Sequence, residues 1–107
     1  MPILQLGLKP VPLEIDLDYL NVTSDEILDK IKKYNLKAIF ITNILGHCGD
    51  MKNIAKVCKD NKVILFEDNC ESLGTTTNKK LLGTYGLMSS SSFYVAHHIS
   101  TIEGGMV

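Results

Sequence analysis

Two short, nearly continuous apolar runs narrow the folds open to this chain: Lys37-Ala-Ile-Phe-Ile-Thr-Asn43 and Val63-Ile-Leu-Phe66. A strand that is apolar at consecutive residues, rather than at alternate ones, is expected to be covered on both faces, as in parallel sheets. Between the runs, Asp50 can cap a helix carrying Met51, Ile54, Ala55 and Cys58 on one side. Parallel strands need such a crossover. Upstream, Thr23-Ser-Asp-Glu26 has the spacing of a capping box, and the helix it opens carries Ile27, Ile31 and Tyr34 at roughly helical spacing. Lysines lie near its end, where the macrodipole favours cations. Val11 to Asp16 alternates apolar and polar residues and reads as a strand, and Ser91-Ser-Phe-Tyr-Val95 reads as another. Strand, helix, strand, helix, strand is an α/β pattern, best served by a mostly parallel sheet. Two helices cannot cover four or five strands, so one face and at least one edge stay open.

Composition excludes several classes of function. Twelve acidic groups against eleven Lys and Arg leave a net charge of −1. Such a surface offers no electrostatic footprint for nucleic acid or an anionic membrane. No apolar run reaches the ~20 residues that span a bilayer. The opening Met-Pro-Ile-Leu-Gln-Leu-Gly has neither a basic n-region nor a long apolar stretch, so no signal peptide is read. Cys48, Cys58 and Cys70 are an odd number of cysteines without a secretory signal, which points to free thiols in a reduced, cytoplasmic setting.

The polar clusters Glu67 to Glu71 and Ser92 to His98 fall at or after the carboxyl end of a strand. That is where open α/β sheets bind ligands. Taken alone, Asp68 is open to three roles: helix cap, loop acceptor, or partner of a buried cation. Cys70 alone reads as a small core residue. In an extended chain His97 and His98 would face opposite sides, so at most one would serve a given pocket. His47, Cys48, Cys58, Cys70, His97 and His98 could in principle ligate zinc, but no Cys-x-x-Cys or His-x-x-x-His pairing supports that. Gly104-Gly105 reads as a tight turn.

In combination these segments become specific. Glu67-Asp-Asn-Cys-Glu-Ser-Leu-Gly74, Gly83-Thr-Tyr-Gly86, Ser92-Phe-Tyr-Val-Ala-His-His-Ile99 and Glu103-Gly-Gly105 resemble the DegT/DnrJ/EryC1/StrS family of sugar aminotransferases. They are closest to its CDP-4-keto-6-deoxyglucose 3-dehydratase members. The resemblance covers essentially the whole chain. It implies that residues 1–107 are the central part of the cofactor-binding large domain of a fold-type-I pyridoxal-phosphate enzyme, a three-layer, mostly parallel-sheet α/β domain. The family's upstream glycine-containing phosphate loop and carboxyl-terminal domain are absent from these residues.

Residue by residue, the resemblance implies a cofactor site. Asp68 matches the carboxylate that pairs with the pyridine nitrogen and keeps it protonated, so that the ring accepts electrons. Ser92 matches the serine that binds the cofactor phosphate. Glu71 and Tyr94 occupy positions beside the ring. His97 stands where the aminotransferases carry their cofactor-linking lysine. An imidazole cannot make that covalent link, so the cofactor would be held non-covalently as pyridoxamine 5′-phosphate, with His97 moving a proton. His98 is expected to point away. Cys70 lies two residues after Asp68 and 27 before His97, the spacing of the first ligand of an iron–sulfur (2Fe–2S) cluster in some of these dehydratases. The implied activity is loss of the C3 hydroxyl from a nucleotide-linked 4-keto-6-deoxyhexose, in deoxysugar synthesis for surface polysaccharide. A homodimer and a separate reductase are the implied partners. Val95, Leu87 and Ser100 to Ile102 depart from the family's usual residues without removing a catalytic group.

Overall fold

The computed structural model describes residues 2–107. Its centre is a four-stranded sheet in the order β1-β2-β5-β6. Strands β1 (Ala38–Thr42), β2 (Ile64–Asp68) and β5 (Met88–Ser92) are parallel, and the short β6 (Gly105–Met106) runs antiparallel to β5. A two-stranded hairpin, β3 (Thr76–Thr77) and β4 (Lys80–Leu81), stands apart from it. The helices are α1 (Pro2–Gln5), α2 (Ser24–Tyr34) and α3 (Met51–Asp60).

The core lies on one face of the sheet. Ile39 and Ile41 of β1 and Leu65 of β2 are buried with Ile27 of α2 and Met51, Ile54 and Cys58 of α3. Burying each of those aliphatic side chains contributes roughly 1.5–3 kcal/mol. The opposite face of β1, carrying Ala38, Phe40 and Thr42, is open, with Phe40 58% exposed. The helix count therefore describes these residues better than the apolar run does, because the run demands a second layer that they do not supply.

Two caps differ from expectation. Thr23 accepts the Glu26 N–H at 3.3 Å, as half of a capping box. The reciprocal arm is missing, because Glu26 Oε1 accepts the Glu14 N–H at 2.9 Å and pairs with Lys30 at 3.3 Å. The Glu14 N–H holds the Glu26 carboxyl below its ordinary range, with Lys30 adding to the effect against the opposing cost of burial. The Asp50 side chain makes no cap bond to the backbone of α3. Its carboxylate instead accepts the Ser24 N–H at 3.0 Å and the Ser24 hydroxyl at 2.7 Å, tying the start of α3 to that of α2.

Two strands also differ. Val11 to Asp16 forms no strand beyond a single Asp16–Asn21 bridge. Pro12 lacks an N–H, and alternation alone supplies no neighbouring strand. The third parallel strand begins at Met88 rather than Ser91. Its position is set by pairing with β2, with Phe66 opposite Met88 and Asp68 opposite Ser90.

Candidate functional site

The parallel strands all deliver their carboxyl ends to one rim, and a polar network binds that rim together. Asn43, just past β1, donates its backbone N–H to Asp68 O at 2.9 Å and its side-chain amide to Asn69 Oδ1 at 2.7 Å. Asn69 reaches β5 twice, through its N–H to Ser90 O at 2.9 Å and its amide to Ser89 Oγ at 2.7 Å. Asn43 and Asn69 are both buried; these bonds offset the cost of removing their NH₂ groups from water, while Asn43 Oδ1 has no partner among the described residues.

Neighbouring residues of β2 do different work. Glu67 is fully buried and faces the loop that returns to β5. Its carboxylate accepts the backbone N–H groups of Gly83, Tyr85 and Gly86, each at 2.7 Å. Asp68, the last residue of β2, is half-buried. Its Oδ1 accepts the Cys70 N–H and the Ser90 hydroxyl, both at 3.1 Å. No described residue donates to Oδ2. The Asp68 side chain thus has a fixed orientation and an unused acceptor.

Ser92 ends β5, and its hydroxyl accepts the Tyr94 N–H at 3.2 Å. The chain then turns, with the His97 N–H bonded to Tyr94 O at 2.9 Å. The Tyr94 and His97 rings meet edge to face with centroids 5.8 Å apart. His97 is half-buried, and its Nδ1 is buried without a hydrogen-bond partner among the described residues. An unpartnered buried imidazole nitrogen is costly unless a ligand or water meets it.

A cavity of about 510 Å³ is lined by Leu45, Gly46, Glu71, Thr75, Ala96, His97 and His98. It brings together two of the expected site residues, Glu71 and His97, with Tyr94 against the His97 ring. Asp68, Ser92 and Cys70 lie on the same rim but do not line it. The expectation that His98 faces away holds only if the strand continues; the strand ends at Ser92, and His98 lines the same cavity as His97. Leu45, Gly46 and Thr75 were not anticipated. Only Gly46, following a strand, carried a signal.

Cys70 is a free, half-buried thiol. Burial, and then the neighbouring Asp68 carboxylate, push it up to about 11. Among the described residues no group of three or more His, Cys, Asp or Glu side chains is arranged to hold a metal ion. No described helix is long and apolar enough to cross a membrane.

Comparison with known proteins agrees with this arrangement. The model of the DegT/DnrJ/EryC1/StrS aminotransferase family matches residues 1–107. GDP-4-keto-6-deoxy-D-mannose 3-dehydratases of Yersinia pseudotuberculosis and Escherichia coli O55:H7 are 41% and 39% identical over 106 residues, 99% of this chain. The chain spans 27% of the length of each. These relatives are named for a GDP-linked sugar, where the resemblance had suggested CDP. The solved E. coli GDP-4-keto-6-deoxy-D-mannose 3-dehydratase with bound hydrated pyridoxal phosphate superposes with a TM-score of 0.87 at 39% identity. The match covers 97% of this chain and 26% of that one, so the α/β arrangement described here is that of a pyridoxal-phosphate-dependent aminotransferase fold. This chain belongs to the DegT/DnrJ/EryC1/StrS aminotransferase family.

Proposed function

We propose that these residues are the central part of the cofactor-binding domain of a pyridoxamine-phosphate-dependent dehydratase. It removes the C3 hydroxyl of a nucleotide-linked 4-keto-6-deoxyhexose, and the GDP-linked sugar is the first substrate to try. The observation that supports this most is an imidazole, His97, whose Nδ1 is buried and unpartnered among the described residues and which lines one cavity with Glu71; the resemblance to the family implies that its position is the one where sugar aminotransferases carry lysine. Residues 95–99, Val-Ala-His-His-Ile, contain no lysine, which disfavours the aminotransferase alternative.

The donor set fits the cofactor. Asp68, held by Cys70 and Ser90 with Oδ2 unused, can accept a hydrogen bond from a protonated pyridine nitrogen and keep it charged. The Ser92 hydroxyl at the end of β5 can bind a phosphate oxygen. Pyridoxamine phosphate, when bound, supplies an amine for the C4 ketone and a ring that accepts electrons. His97 then serves as the proton carrier, since an imidazole nitrogen can both accept and donate a proton. Tyr94 packs edge to face against the His97 ring.

The active protein is a homodimer, as the resemblance implies, and works in a reduced cytoplasmic setting, a reading supported by three free thiols. It acts in deoxysugar synthesis for surface polysaccharide. A second reading adds a 2Fe–2S cluster with Cys70 as its first ligand and a reductase as electron source. It rests on the spacing of Cys70 from Asp68 and His97, and its other three ligands would come from outside these residues.

The test is His97→Asn in the intact enzyme. Loss of C3 deoxygenation with pyridoxamine phosphate binding retained supports the proposal. Turnover within a few-fold of the parent overturns it.

A further inference from the structure

After β1 the chain makes a short 3-10 turn, Ile44–Gly46, in a costly conformation. Leu45 is left-handed, with φ 52° and ψ 30°, and Gly46 follows at φ 82°. A leucine adopts that region only where its surroundings enforce it. Leu45 is also 75% exposed, so packing of its side chain does not enforce it.

Hydrogen bonds to the turn's backbone do. Two consecutive side chains after β2 meet two consecutive N–H groups of the turn. Glu71 Oε2 accepts from Leu45 at 3.1 Å, and Ser72 Oγ accepts from Gly46 at 3.1 Å. The Ser72 hydroxyl itself donates to Asn43 O, just before the turn. The turn so held supplies Leu45 and Gly46 to the cavity that also carries His97 and His98. Glu71 therefore has one oxygen engaged in holding a cavity wall.

We propose that Glu71 is a positioning residue that acts through Leu45, fixing the left-handed turn as one wall of the His97 cavity, rather than a group that exchanges protons with substrate. The proposal deepens the dehydratase reading, and only its turnover arm rests on that reading.

Glu71→Gln keeps an oxygen that can accept the Leu45 N–H, whereas Glu71→Ala removes it. Glu71→Met, which keeps volume but offers no acceptor, replaces Ala if that variant does not fold. Hydrogen exchange of the Leu45 amide is measured in the intact protein without cofactor or substrate. The expected result is exchange roughly tenfold or more faster in Glu71→Ala, with Glu71→Gln close to the parent, as loss of a bond to a charged acceptor predicts. In turnover, Glu71→Gln retains at least ~10 times the activity of Glu71→Ala, again the scale of one such bond, and leaves the shape of the pH–rate profile unchanged. Unchanged Leu45 exchange in Glu71→Ala overturns the strap. Equal losses in Gln and Ala, with one limb of the pH–rate profile gone, overturn the positioning role in favour of proton transfer. Because the exchange arm needs no substrate, a failure of the dehydratase reading leaves it standing as a separate result.

Discussion

The carboxylate of Glu67 accepts the backbone N–H of Gly86 at 2.7 Å, inside the protein and one residue from Asp68. With Gly83 and Tyr85 also bound to it, Glu67 works as a buried anchor that fastens the loop leading into β5. Glutamine cannot reproduce this arrangement, because its amide NH₂ would confront backbone donors. Glu67→Gln is expected to lower stability by about 3 kcal/mol, given the strength of bonds to charged acceptors and the cost of orphaned donors. The shift of the urea midpoint measures it, and an unmoved midpoint contradicts the anchor.

The same loop passes close to β2. A Cβ at Gly86 would lie 2.5 Å from Leu65 O, a backbone atom that cannot yield. Gly86→Ala is expected to cost roughly 1–3 kcal/mol as an overpacked contact. A thermal melt compared with the parent checks this, and equal stability would show that the loop can move away.

Much of this architecture was legible in the sequence, for physical reasons. The runs at 37–43 and 63–66 contain β1 and the start of β2 because Ile39, Ile41 and Leu65, on one face, leave water, and Thr23 capped α2 because its hydroxyl meets an orphan N–H. What escaped depended on partners distant in sequence. The serine-rich Met88–Ser92 strand has weak intrinsic preference and is defined by its register against β2. The β3–β4 hairpin turns through left-handed Asn78 and Lys79, a pair without the glycine that usually marks such turns. At the site, Asp68, Glu71, Ser92, Tyr94 and His97 could be named from a motif. That His98 shares the cavity, and that Glu71 grips Leu45, follows from where β5 stops and how the turn folds.

Cysteine chemistry gives a prediction with a defined sign. Cys58 and Cys70 are both pushed up to about 11, chiefly by burial. Each stays protonated in the folded protein where an ordinary thiol ionises near pH 8.5. At pH 8 each therefore carries roughly two orders of magnitude less thiolate than a free thiol, and iodoacetamide should modify them correspondingly slowly. The thiols' contribution to stability is complete below pH ~8.5 and is lost as pH rises toward 11. Rapid modification of native Cys70 at pH 8 contradicts this environment.

Asp68→Asn keeps an oxygen for the Cys70 and Ser90 donors but removes the charge. The fold should survive while turnover of the intact enzyme falls ~10²–10³-fold, the scale of a lost electrostatic partner at a reacting centre. Circular dichroism and single-turnover rates separate the two effects. A variant as fast as the parent would remove Asp68 from the site.

The central claim is that His97, in place of a lysine, makes this a dehydratase site. The most direct measurement incubates the intact enzyme, loaded with pyridoxamine 5′-phosphate, with a GDP-linked 4-keto-6-deoxyhexose and follows the sugar by mass spectrometry and NMR. The account predicts a product that has lost its C3 oxygen, and no such product from the His97→Asn variant. An amino sugar that retains its C3 hydroxyl would contradict it.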